Sequence, residues 1–385
     1  MLMIRKPDGS IRFCIDYRKL NSVTIKDSYP MPRIDDLLDV LGRAKLFSSM
    51  DVASGYWNVP MAEDSISRTA FTTKFGLYEW KVMPFGLTNA PAGFQKLMDS
   101  VLNNIKWKIC LVYLDDCVIF SEDFATHLLR VREVLSRFRE AGFKLKLSKC
   151  YWGRTSIPFL GHLITTQGIL PNPDKVAVVL QAERPTDVSS LRSFTGLTSY
   201  FRRFVKGYAT IAAPLEKLKQ KDIEWKWTSD CEEAFLILKR RLASPPILAY
   251  PDWNLSFVLH TDASLNAIGA VLLQKQEGKE RVIAYAGRVT NKTEKKYGIT
   301  QLECLAIVFG VKKFRCYLEG RQFDLITDHS ALVWLFKKNS KTNNRMIMRW
   351  ILELQSFDFT VKYRPGKEHG SADGVSRIID YTTTD

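Results

Sequence analysis

The sequence predicts a protein of several domains that combines α/β and α+β architecture. Its 385 residues are 46% hydrophobic and 25% charged, which favours two to four packed cores over disorder. Three blocks differ in texture: residues 1–172 mix strand-like and helical runs, residues 173–250 are helical, and residues 251–380 show an α/β layer order. We expect one domain, or a small group of subdomains, for each block.

The charge balance points to a polyanionic partner. Fifty-six Lys and Arg against 41 Asp and Glu give a net charge of +15. No run approaches the 18 apolar residues of a membrane span, and the first residues lack the apolar core of a signal peptide. We therefore expect nucleic acid as the partner and no membrane. The seven cysteines are scattered without a Cys-x-x-Cys spacing, which favours an intracellular, reducing compartment over secretion.

The stretch Tyr113-Leu114-Asp115-Asp116 places two adjacent carboxylates between the apolar runs 109–112 and 117–120. Such a pattern predicts two strands joined by a tight turn. At roughly 4 Å, two anions repel by about 1 kcal/mol in water and about 4 kcal/mol at an effective dielectric near 20. A cation between the carboxylates would remove that repulsion. The alternative is an ordinary hairpin turn, in which Asp is common.

A third acid, Asp51, lies in the short apolar strand predicted at 47–52. The residues Ser54-Gly55 turn the chain directly after this strand. Two divalent ions held about 3.5–4 Å apart by hard oxygen ligands are the usual device for in-line phosphoryl transfer. Asp51, Asp115 and Asp116 could hold such a pair. Taken alone, Asp51 would more often be a helix N-cap or part of an Asx-turn before Ser54-Gly55.

The third block carries a separate set of acids. Strand-like runs at 255–261, 267–274 and 281–286 precede a helix-like segment at 297–317 and a strand at 323–327. The acids stand at strand ends, on the helix and near the end of the chain, at Asp262, Glu303, Asp328 and Asp373. Acids at the ends of separate strands can converge on one point, whereas random surface acids would more often lie beside Lys or Arg.

Several motifs in both outer blocks occur in a specific order and spacing. In the first block they are 6–21 (KPDGSIRFCIDYRKLN), 51–56 (DVASGY), 83–91 (MPFGLTNAP), Gln95, 113–116 (YLDD) and 159–162 (FLGH). In the third they are 261–264 (TDAS), 302–306 (LECLA), 327–329 (TDH) and 372–377 (ADGVSR). The chain closely resembles the reverse transcriptase and ribonuclease H region of gypsy-type LTR retrotransposon Pol polyproteins, over nearly its whole length.

The resemblance implies a right-hand polymerase with partial fingers, palm and thumb, then a connection segment and a ribonuclease H-like α/β domain. It makes Asp51, Asp115 and Asp116 the catalytic metal ligands of the palm. The residues implied to bind substrate are Lys6, Arg12, Tyr56, Phe85, Gly86 and Gln95. Lys6 and Arg12 would contact the triphosphate, and Tyr56 would stack under the sugar and exclude a 2′-hydroxyl. Phe85 and Gly86 would line the nucleotide pocket, and Gln95 would lie near the template.

For the last block, the resemblance makes Asp262, Glu303, Asp328 and Asp373 both catalytic residues and metal ligands. Two Mg²⁺ ions per site are implied, with Mn²⁺ as a substitute. Many ribonucleases H carry a mobile His ten residues before the last Asp, where this chain has Tyr363, and His369 reads as a surface residue. In the middle block, aromatic residues alternate with Arg and Lys over 191–206, which suits a helix that follows phosphates or an amphipathic core helix with a basic face.

These features predict an RNA-directed DNA polymerase with ribonuclease H activity. The expected partners are a primed RNA or DNA template, an RNA–DNA hybrid and dNTPs. The expected location is cytoplasmic, in virus-like particles, or nuclear. The family's fingers subdomain begins upstream of Lys6, so we expect a shortened fingers region and a fragment of a longer polyprotein. The alternatives are a non-catalytic nucleic-acid-binding relic and a cellular, retron or telomerase-type polymerase, which the third block disfavours.

Overall fold

The computed structural model describes residues 2–5, 9, 11–221, 223–336 and 344–365. The chain divides into two compact units. The first extends to residue 160 and includes 164–166, and the second comprises 161–163 and continues from 167. Residues 173–250 therefore belong to the second unit. Within the described ranges, no helix is both long enough and apolar enough to cross a membrane.

In its described residues, the first unit contains short strands and five helices. Its strands are β1 Leu2–Arg5, β2 Ile11–Cys14, β3 Leu46–Asp51, β4 Phe71–Thr73, β5 Gly76–Tyr78, β6 Cys110–Tyr113, β7 Asp116–Ser121, β8 Tyr151–Arg154 and β9 Ser156–Phe159. Its helices are α1 Arg18–Val23, α2 Ile34–Asp39, α3 Glu63–Ile66, α4 Ala90–Val101 and α5 Phe124–Glu140. Single 3₁₀ turns lie at Val40–Arg43, Gly55–Asn58, Ser67–Thr69 and Leu147–Lys149.

The centre of this unit is an antiparallel sheet in the order β6-β7-β3-β8. The apolar residues of β3, β6 and β7 are buried against helices α4 and α5, around Met50, Phe94 and Phe138. Asp123 is the N-cap of helix α5, and its carboxylate accepts a hydrogen bond from the backbone N–H of Thr126 at 2.9 Å. This packing fixes the two strands that carry the predicted acids.

The second unit contains the remaining elements. Its helices are α6 Pro173–Gln181, α7 Val188–Tyr200, α8 Tyr208–Lys217, α9 Ser229–Ala243, α10 Ile299–Lys313, α11 Arg315–Leu318, α12 Ser330–Leu335 and α13 Arg345–Leu354. Its strands are β11 Gly168–Pro171, β12 Phe257–Ala263, β13 Ala267–Gln276, β14 Lys279–Val289, β15 Gln322–Thr327 and β16 Asp358–Tyr363, and β10 His162–Thr165 straddles the boundary. Two 3₁₀ turns lie at Arg202–Phe204 and Glu294–Lys296.

A five-stranded mixed sheet in the order β14-β13-β12-β15-β16 organises this unit. Strands β12, β13 and β14 are antiparallel, while β15 and β16 run parallel to β12 and β15 respectively. Helix α10 packs closely on the sheet at Gly310, where a Cβ would lie 3.0 Å from Ala270 Cβ. Near the start of the same helix, Glu303 accepts a backbone hydrogen bond from Ala263 and is close to the charges of Asp262 and Asp328, at the carboxyl ends of β12 and β15.

Candidate active sites: two carboxylate clusters

The first cluster surrounds the turn between β6 and β7. Tyr113 pairs with Asp116, so Leu114 and Asp115 form the connection, as the sequence predicts. Leu114 has φ of +54°, a left-handed conformation that costs a non-glycine residue roughly 1–2 kcal/mol. Asp51 pairs with Asp116 at the end of the β3–β7 ladder, and the Val52 N–H donates to the Asp115 carbonyl at 3.1 Å. Directly opposed residues share one face of a sheet, so Asp51 and Asp116 lie side by side.

Gln95 holds the strained turn in place. Its Oε1 accepts a hydrogen bond from Leu114 N–H at 2.8 Å, and its amide nitrogen donates to Asp99 at 2.8 Å. Asp99 also binds Lys106 at 2.5 Å and accepts from the Tyr29 hydroxyl at 2.7 Å. Gln95 is fully buried, and its amide supports the turn between β6 and β7 from helix α4. Its position near a template strand stays a prediction.

Gly55 makes room for the side chain of Asp115. A Cβ at position 55 would lie 2.2 Å from Asp115 Oδ1 and 3.0 Å from the Phe94 ring. Real Cβ atoms do not approach so closely, and any larger residue at 55 would displace the carboxylate. The Ser54-Gly55 turn, in which Ser54 has φ of +53°, therefore packs directly against the Asp115 side chain.

Lys149 is a member of this cluster that the sequence analysis missed. Its Nζ lies 3.0 Å from Asp51 Oδ2, although the Lys149 side chain is 57% exposed. Burial raises the pKa of Asp116, the charge of Asp51 raises it further, and Lys149 partly opposes the shift. No motif signalled this, because Lys149 ends a 3₁₀ turn that is 98 residues from Asp51 in sequence, and it is one of many lysines in the chain.

The structure describes the side chains or backbone of three predicted nucleotide-binding residues, Tyr56, Phe85 and Gly86. Tyr56 packs against Phe85 with ring centroids 5.2 Å apart, and burial, then the charge of Asp115, raises the pKa of its hydroxyl. Gly86 has φ of +100°, and a Cβ there would lie 3.2 Å from the carbonyl oxygen of Ile15. Lys6 lies outside the described residues, and of Arg12 only the backbone in β2 is described.

The second cluster is formed at the ends of parallel strands. His260 of β12 pairs with Ile326 of β15, and Asp262 and Asp328 each stand two residues further along. They therefore emerge at the same sheet edge. Glu303 lies in the second turn of α10, which packs on this sheet. The structure thus brings together three of the four acids predicted from separate elements.

Glu303 is buried, with 4% of its surface exposed. Burial, followed by the negative charges of Asp328 and Asp262, raises the pKa of its carboxyl to about 8, and a backbone hydrogen bond from Ala263 opposes the shift. Within the described part of the chain, Glu303 Oε2 has no hydrogen-bond partner. A buried carboxyl beside two other acids favours its protonated form unless a cation compensates the charge.

Two further residues, Tyr363 and His329, lie near the strand ends that carry this cluster. Tyr363 pairs with Thr327, immediately before Asp328, and is 53% exposed. His329 Nε2 lies 3.3 Å from Thr300 Oγ1. The predicted fourth ligand, Asp373, and also His369 lie outside the described residues.

The donor chemistry of both clusters suits a hard divalent cation. Carboxylate oxygens are the ligands that Mg²⁺ prefers, and a cation would offset the burial and the neighbouring negative charges that raise the pKa of Asp116 and Glu303. In residues 2–5, 9, 11–221, 223–336 and 344–365, however, no group of three or more His, Cys, Asp or Glu is arranged to hold a metal ion. Metal binding by the full predicted sets therefore stays a prediction.

The two units together define a class of protein. The first has paired aspartates at a β-hairpin in an antiparallel sheet, the arrangement of a polymerase palm. The second has three antiparallel strands followed by two parallel ones, with acids at the strand ends, the arrangement of a ribonuclease H-like domain. A chain that joins the two has the domain composition of a reverse transcriptase with a ribonuclease H-like domain.

Comparison with known protein families agrees with this class. Residues 4–164 match the family "Reverse transcriptase (RNA-dependent DNA polymerase)", and residues 252–357 match "RNase H-like domain found in reverse transcriptase". The Pol polyprotein from Drosophila melanogaster transposon 297 is 43% identical over 97% of this chain and 35% of its own length. The Schizosaccharomyces pombe transposon Tf2-3 polyprotein is 33% identical over 99% of this chain and 29% of its own.

Solved structures give the same result. A foamy viral protease-reverse transcriptase in complex with dsDNA is 25% identical, with a TM-score of 0.82 over 94% of this chain and 77% of that chain. The same enzyme with an RNA/DNA hybrid has a TM-score of 0.79 over all of this chain and 52% of that one, also at 25% identity. The fold class predicted from the sequence is confirmed.

Residues 4–164 therefore belong to the reverse transcriptase family and residues 252–357 to the RNase H-like family found with it, and the chain is similar over nearly its whole length to retrotransposon Pol polyproteins. It spans about a third of the length of the transposon relatives it matches.

Proposed function

We propose that this chain is an RNA-directed DNA polymerase that extends a primed template with dNTPs, joined to a ribonuclease H that cuts the RNA of the resulting hybrid. Both reactions would proceed by phosphoryl transfer with two Mg²⁺ ions per site. The observation that carries the proposal is the presence of two separate carboxylate clusters, one in each unit. Each lies in a region that matches the corresponding family.

In the polymerase reaction, Asp51, Asp115 and Asp116 would hold Mg²⁺. When bound, it lowers the pKa of the primer hydroxyl and neutralises charge on the transferred phosphate. Gln95 and Gly55 would keep the Asp115–Asp116 turn in one geometry, since both contact it directly. Preorganised donors and charges of this kind stabilise a transition state more than flexible ones do.

Selection of the nucleotide would depend on the aromatic wall beside that turn. Tyr56, packed against Phe85 and Phe94, would stack under the sugar and exclude a 2′-hydroxyl. Gly86, with its positive φ, would let the backbone approach the incoming nucleotide. Lys6 and Arg12 would neutralise the triphosphate, for which a point charge and a guanidinium fork are both suited.

In the nuclease reaction, Asp262, Glu303, Asp328 and Asp373 would hold the metal ions beside an RNA phosphodiester. Glu303 is the side chain whose charge most requires compensation, because burial raises its pKa to about 8. Tyr363, at the end of β16 beside Thr327, lies at the position of the mobile His of other ribonucleases H. The net charge of +15 supports a nucleic-acid substrate at either site.

The test is a pair of reciprocal variants of the intact chain. Asp115→Asn should reduce extension on poly(rA)/oligo(dT) by on the order of 10²-fold or more, with hybrid cleavage unchanged. Asp262→Asn should do the reverse. Each variant is the folding control for the other. Wild-type extension by Asp115→Asn, or wild-type cleavage by Asp262→Asn, would reject the respective assignment.

A second candidate is a nucleic-acid-binding protein without catalytic activity. The ion pair of Lys149 with Asp51 favours it, because an ammonium group already occupies one face of a predicted metal ligand. Single-turnover dNTP incorporation discriminates the two candidates. Salt-sensitive binding of a primed template without incorporation at any Mg²⁺ concentration would establish the second candidate and reject the first.

A further inference from the structure

The back of the catalytic sheet contains a buried polar group that the proposed reaction does not use. His127, in the first turn of α5, is 2% exposed. Its Nε2 lies 2.7 Å from Ser48 Oγ on β3, and its Nδ1 lies 2.9 Å from Ser121 Oγ on β7. Both serines are buried as well. One imidazole therefore bridges β3, which ends at Asp51, and β7, which begins at Asp116.

The serines also bind backbone groups, and these bonds have a fixed direction. Ser121 Oγ donates to the carbonyl of Asp123 at 2.9 Å, because a carbonyl can only accept. Ser48 Oγ accepts from the Gly153 N–H at 2.9 Å, because an amide can only donate. Ser121 has then used its proton, while Ser48 still has its proton to give.

These directions assign one tautomer to His127. With its proton on Nδ1, the ring donates to Ser121 Oγ, and the free Nε2 accepts the proton of Ser48. Each polar hydrogen in the group then has one acceptor. The opposite tautomer would set the Nε2 proton against a serine that already accepts from Gly153, and it would leave the hydroxyl proton of Ser48 without an acceptor in this group.

The bond to Gly153 reaches a third strand. Strand β8 pairs with β3 through an irregularity, in which Phe47 faces Arg154 but Ser49 faces Tyr151. Gly153 lies inside this bulge with φ of +55°. A bulge leaves an N–H outside the regular ladder, and here Ser48 accepts that N–H. The same strand follows directly after Lys149, the residue that binds Asp51.

We infer that His127 is a positioning residue of the polymerase site: in a single neutral tautomer it ties β3, β7 and the bulge of β8 together and so sets how Asp51, Asp116 and Lys149 face one another. This inference rests on the proposed polymerase function for its catalytic consequence. Ser48 stands three residues before Asp51 on β3, so a shift of the ring or of Ser48 is transmitted along a short, stiff strand.

The same geometry makes the tie sensitive to acid. A doubly protonated ring would donate from both nitrogens, which Ser48 can accommodate only by giving up an acceptor for its own proton. Among the charged groups on the elements packed around the ring, Arg130 on α5 acts on it directly. Other charged residues on these elements include Asp123 before α5, Asp51 at the end of β3, Asp116 at the start of β7 and Arg154 on β8. Burial, and then the charge of Arg130, lowers the pKa of His127, so the folded chain favours the neutral ring.

The first experiment reads the tautomer in the intact wild-type chain by long-range ¹H–¹⁵N NMR with ¹⁵N-histidine labelling. The chain has only five histidines, and His127→Gln identifies the signal. The expected result is a neutral ring that is protonated at Nδ1. This ring should gain its second proton only at a pH below the ordinary histidine pKa. A ring protonated at Nε2, or one that titrates normally near 6.5, would overturn the inference.

Thermal unfolding gives a readout that does not depend on activity. Because the folded pKa of His127 is lowered, the unfolded chain binds the extra proton, and stability should fall as the pH drops below about 6.5. His127→Gln should remove this component of the pH dependence, and Ser48→Ala should lower Tm by about 3–8 °C at pH 8. Equal acid sensitivity in wild type and His127→Gln would contradict the inference.

The catalytic consequence is read in the same polypeptide. In Ser48→Ala and His127→Gln, the Mg²⁺ concentration for half-maximal primer extension should rise by roughly tenfold, while hybrid cleavage by the second unit stays unchanged. Unaltered Mg²⁺ dependence would reject the positioning role. An inactive wild-type chain would instead count against the proposed function, and the tautomer and the pH dependence would still decide whether the tie exists.

Discussion

The two carboxylate clusters reduce the repulsion between their acids in different ways. In the first unit, Lys149 lies 3.0 Å from Asp51, and the Asp115 side chain is turned against Gly55. In the second unit, Glu303 is buried near Asp262 and Asp328, and its pKa rises to about 8. The first cluster uses a counter-charge and separation, whereas the second favours a protonated carboxyl at neutral pH.

This difference has a topological cause. The first cluster lies at the open end of an antiparallel sheet, where a later segment of chain can place a lysine beside β3. The second is covered by helix α10, which packs on the sheet closely enough to require Gly310. Glu303 is only 4% exposed, so its charge is poorly solvated, and a proton or a metal ion could compensate it. The two clusters should therefore respond differently to pH and to loss of a charge.

The largest expected effect is that of Glu303→Gln. Folded Glu303 keeps its proton up to about pH 8, whereas the unfolded residue loses it near 4.3. The folded state thus binds the extra proton in this window, and wild-type stability should fall as the pH rises through it. The variant should be more stable than wild type by about 2–4 kcal/mol at pH 8 and by little at pH 4.5. Unfolding curves at both pH values measure this.

Hybrid cleavage should fall in Glu303→Gln by on the order of 10²–10³-fold, so stability and activity should change in opposite directions. Glu277→Gln is the matched control, because the Glu277 side chain is 88% exposed, and it should alter neither. Mg²⁺ should stabilise wild type at pH 8 more than it stabilises the variant. A Glu303→Gln protein no more stable than wild type at pH 8 would break the contrast between the clusters.

The next effect tests separation in the first cluster. Gly55→Ala places a Cβ 2.2 Å from the present position of Asp115 Oδ1. The Asp115 carboxylate should therefore move toward the other acids of the cluster. We expect primer extension to fall by roughly 10–100-fold. Gly93→Ala, whose Cβ would have its nearest neighbour at 3.9 Å, adds the same methyl group within helix α4 and should keep full activity. Equal activity of the two variants would show that Gly55 does not separate the acids.

The sequence predicted the elements that carry the acids better than the contacts between them. The YLDD turn, the strand before Asp51 and the strands before Asp262 and Asp328 follow from apolar runs that end in acids, and the structure has them. The predicted helix 297–317 is divided at Phe314 into α10 and α11. Local pattern fixes such elements because each depends on residues close in sequence.

Contacts between distant residues escaped prediction for the same reason. Gln95 was assigned to the template by motif position, yet its amide binds Leu114 nineteen residues away. Lys149 and Asp51 are 98 residues apart, and the sequence alone does not show which of the neighbouring lysines forms an ion pair with an acid. His127 gave no signal, because its partners Ser48 and Ser121 are common residues on two separate strands.

The smallest effect concerns the counter-charge of the first cluster. Lys149→Met keeps the length of the side chain but removes the ammonium that lies 3.0 Å from Asp51 Oδ2. An exposed ion pair contributes about 0.2–1 kcal/mol, so stability should change little. If the ammonium and Mg²⁺ compete for Asp51, its loss should lower the half-saturating Mg²⁺ concentration for primer extension by about 2–5-fold at pH 8.

At lower pH the same variant should show the opposite trend. Lys149 holds down the pKa of Asp116 against burial and the charge of Asp51, so its removal raises that pKa further. Extension needs the ionised carboxylate, and its loss on acidification should therefore begin at a higher pH in Lys149→Met than in wild type. Lys149→Arg, which retains the charge, should behave like wild type in both assays. A pH profile and Mg²⁺ dependence that are unchanged in Lys149→Met would mean that this lysine is a surface neighbour of the cluster, and that the first unit relies on separation alone.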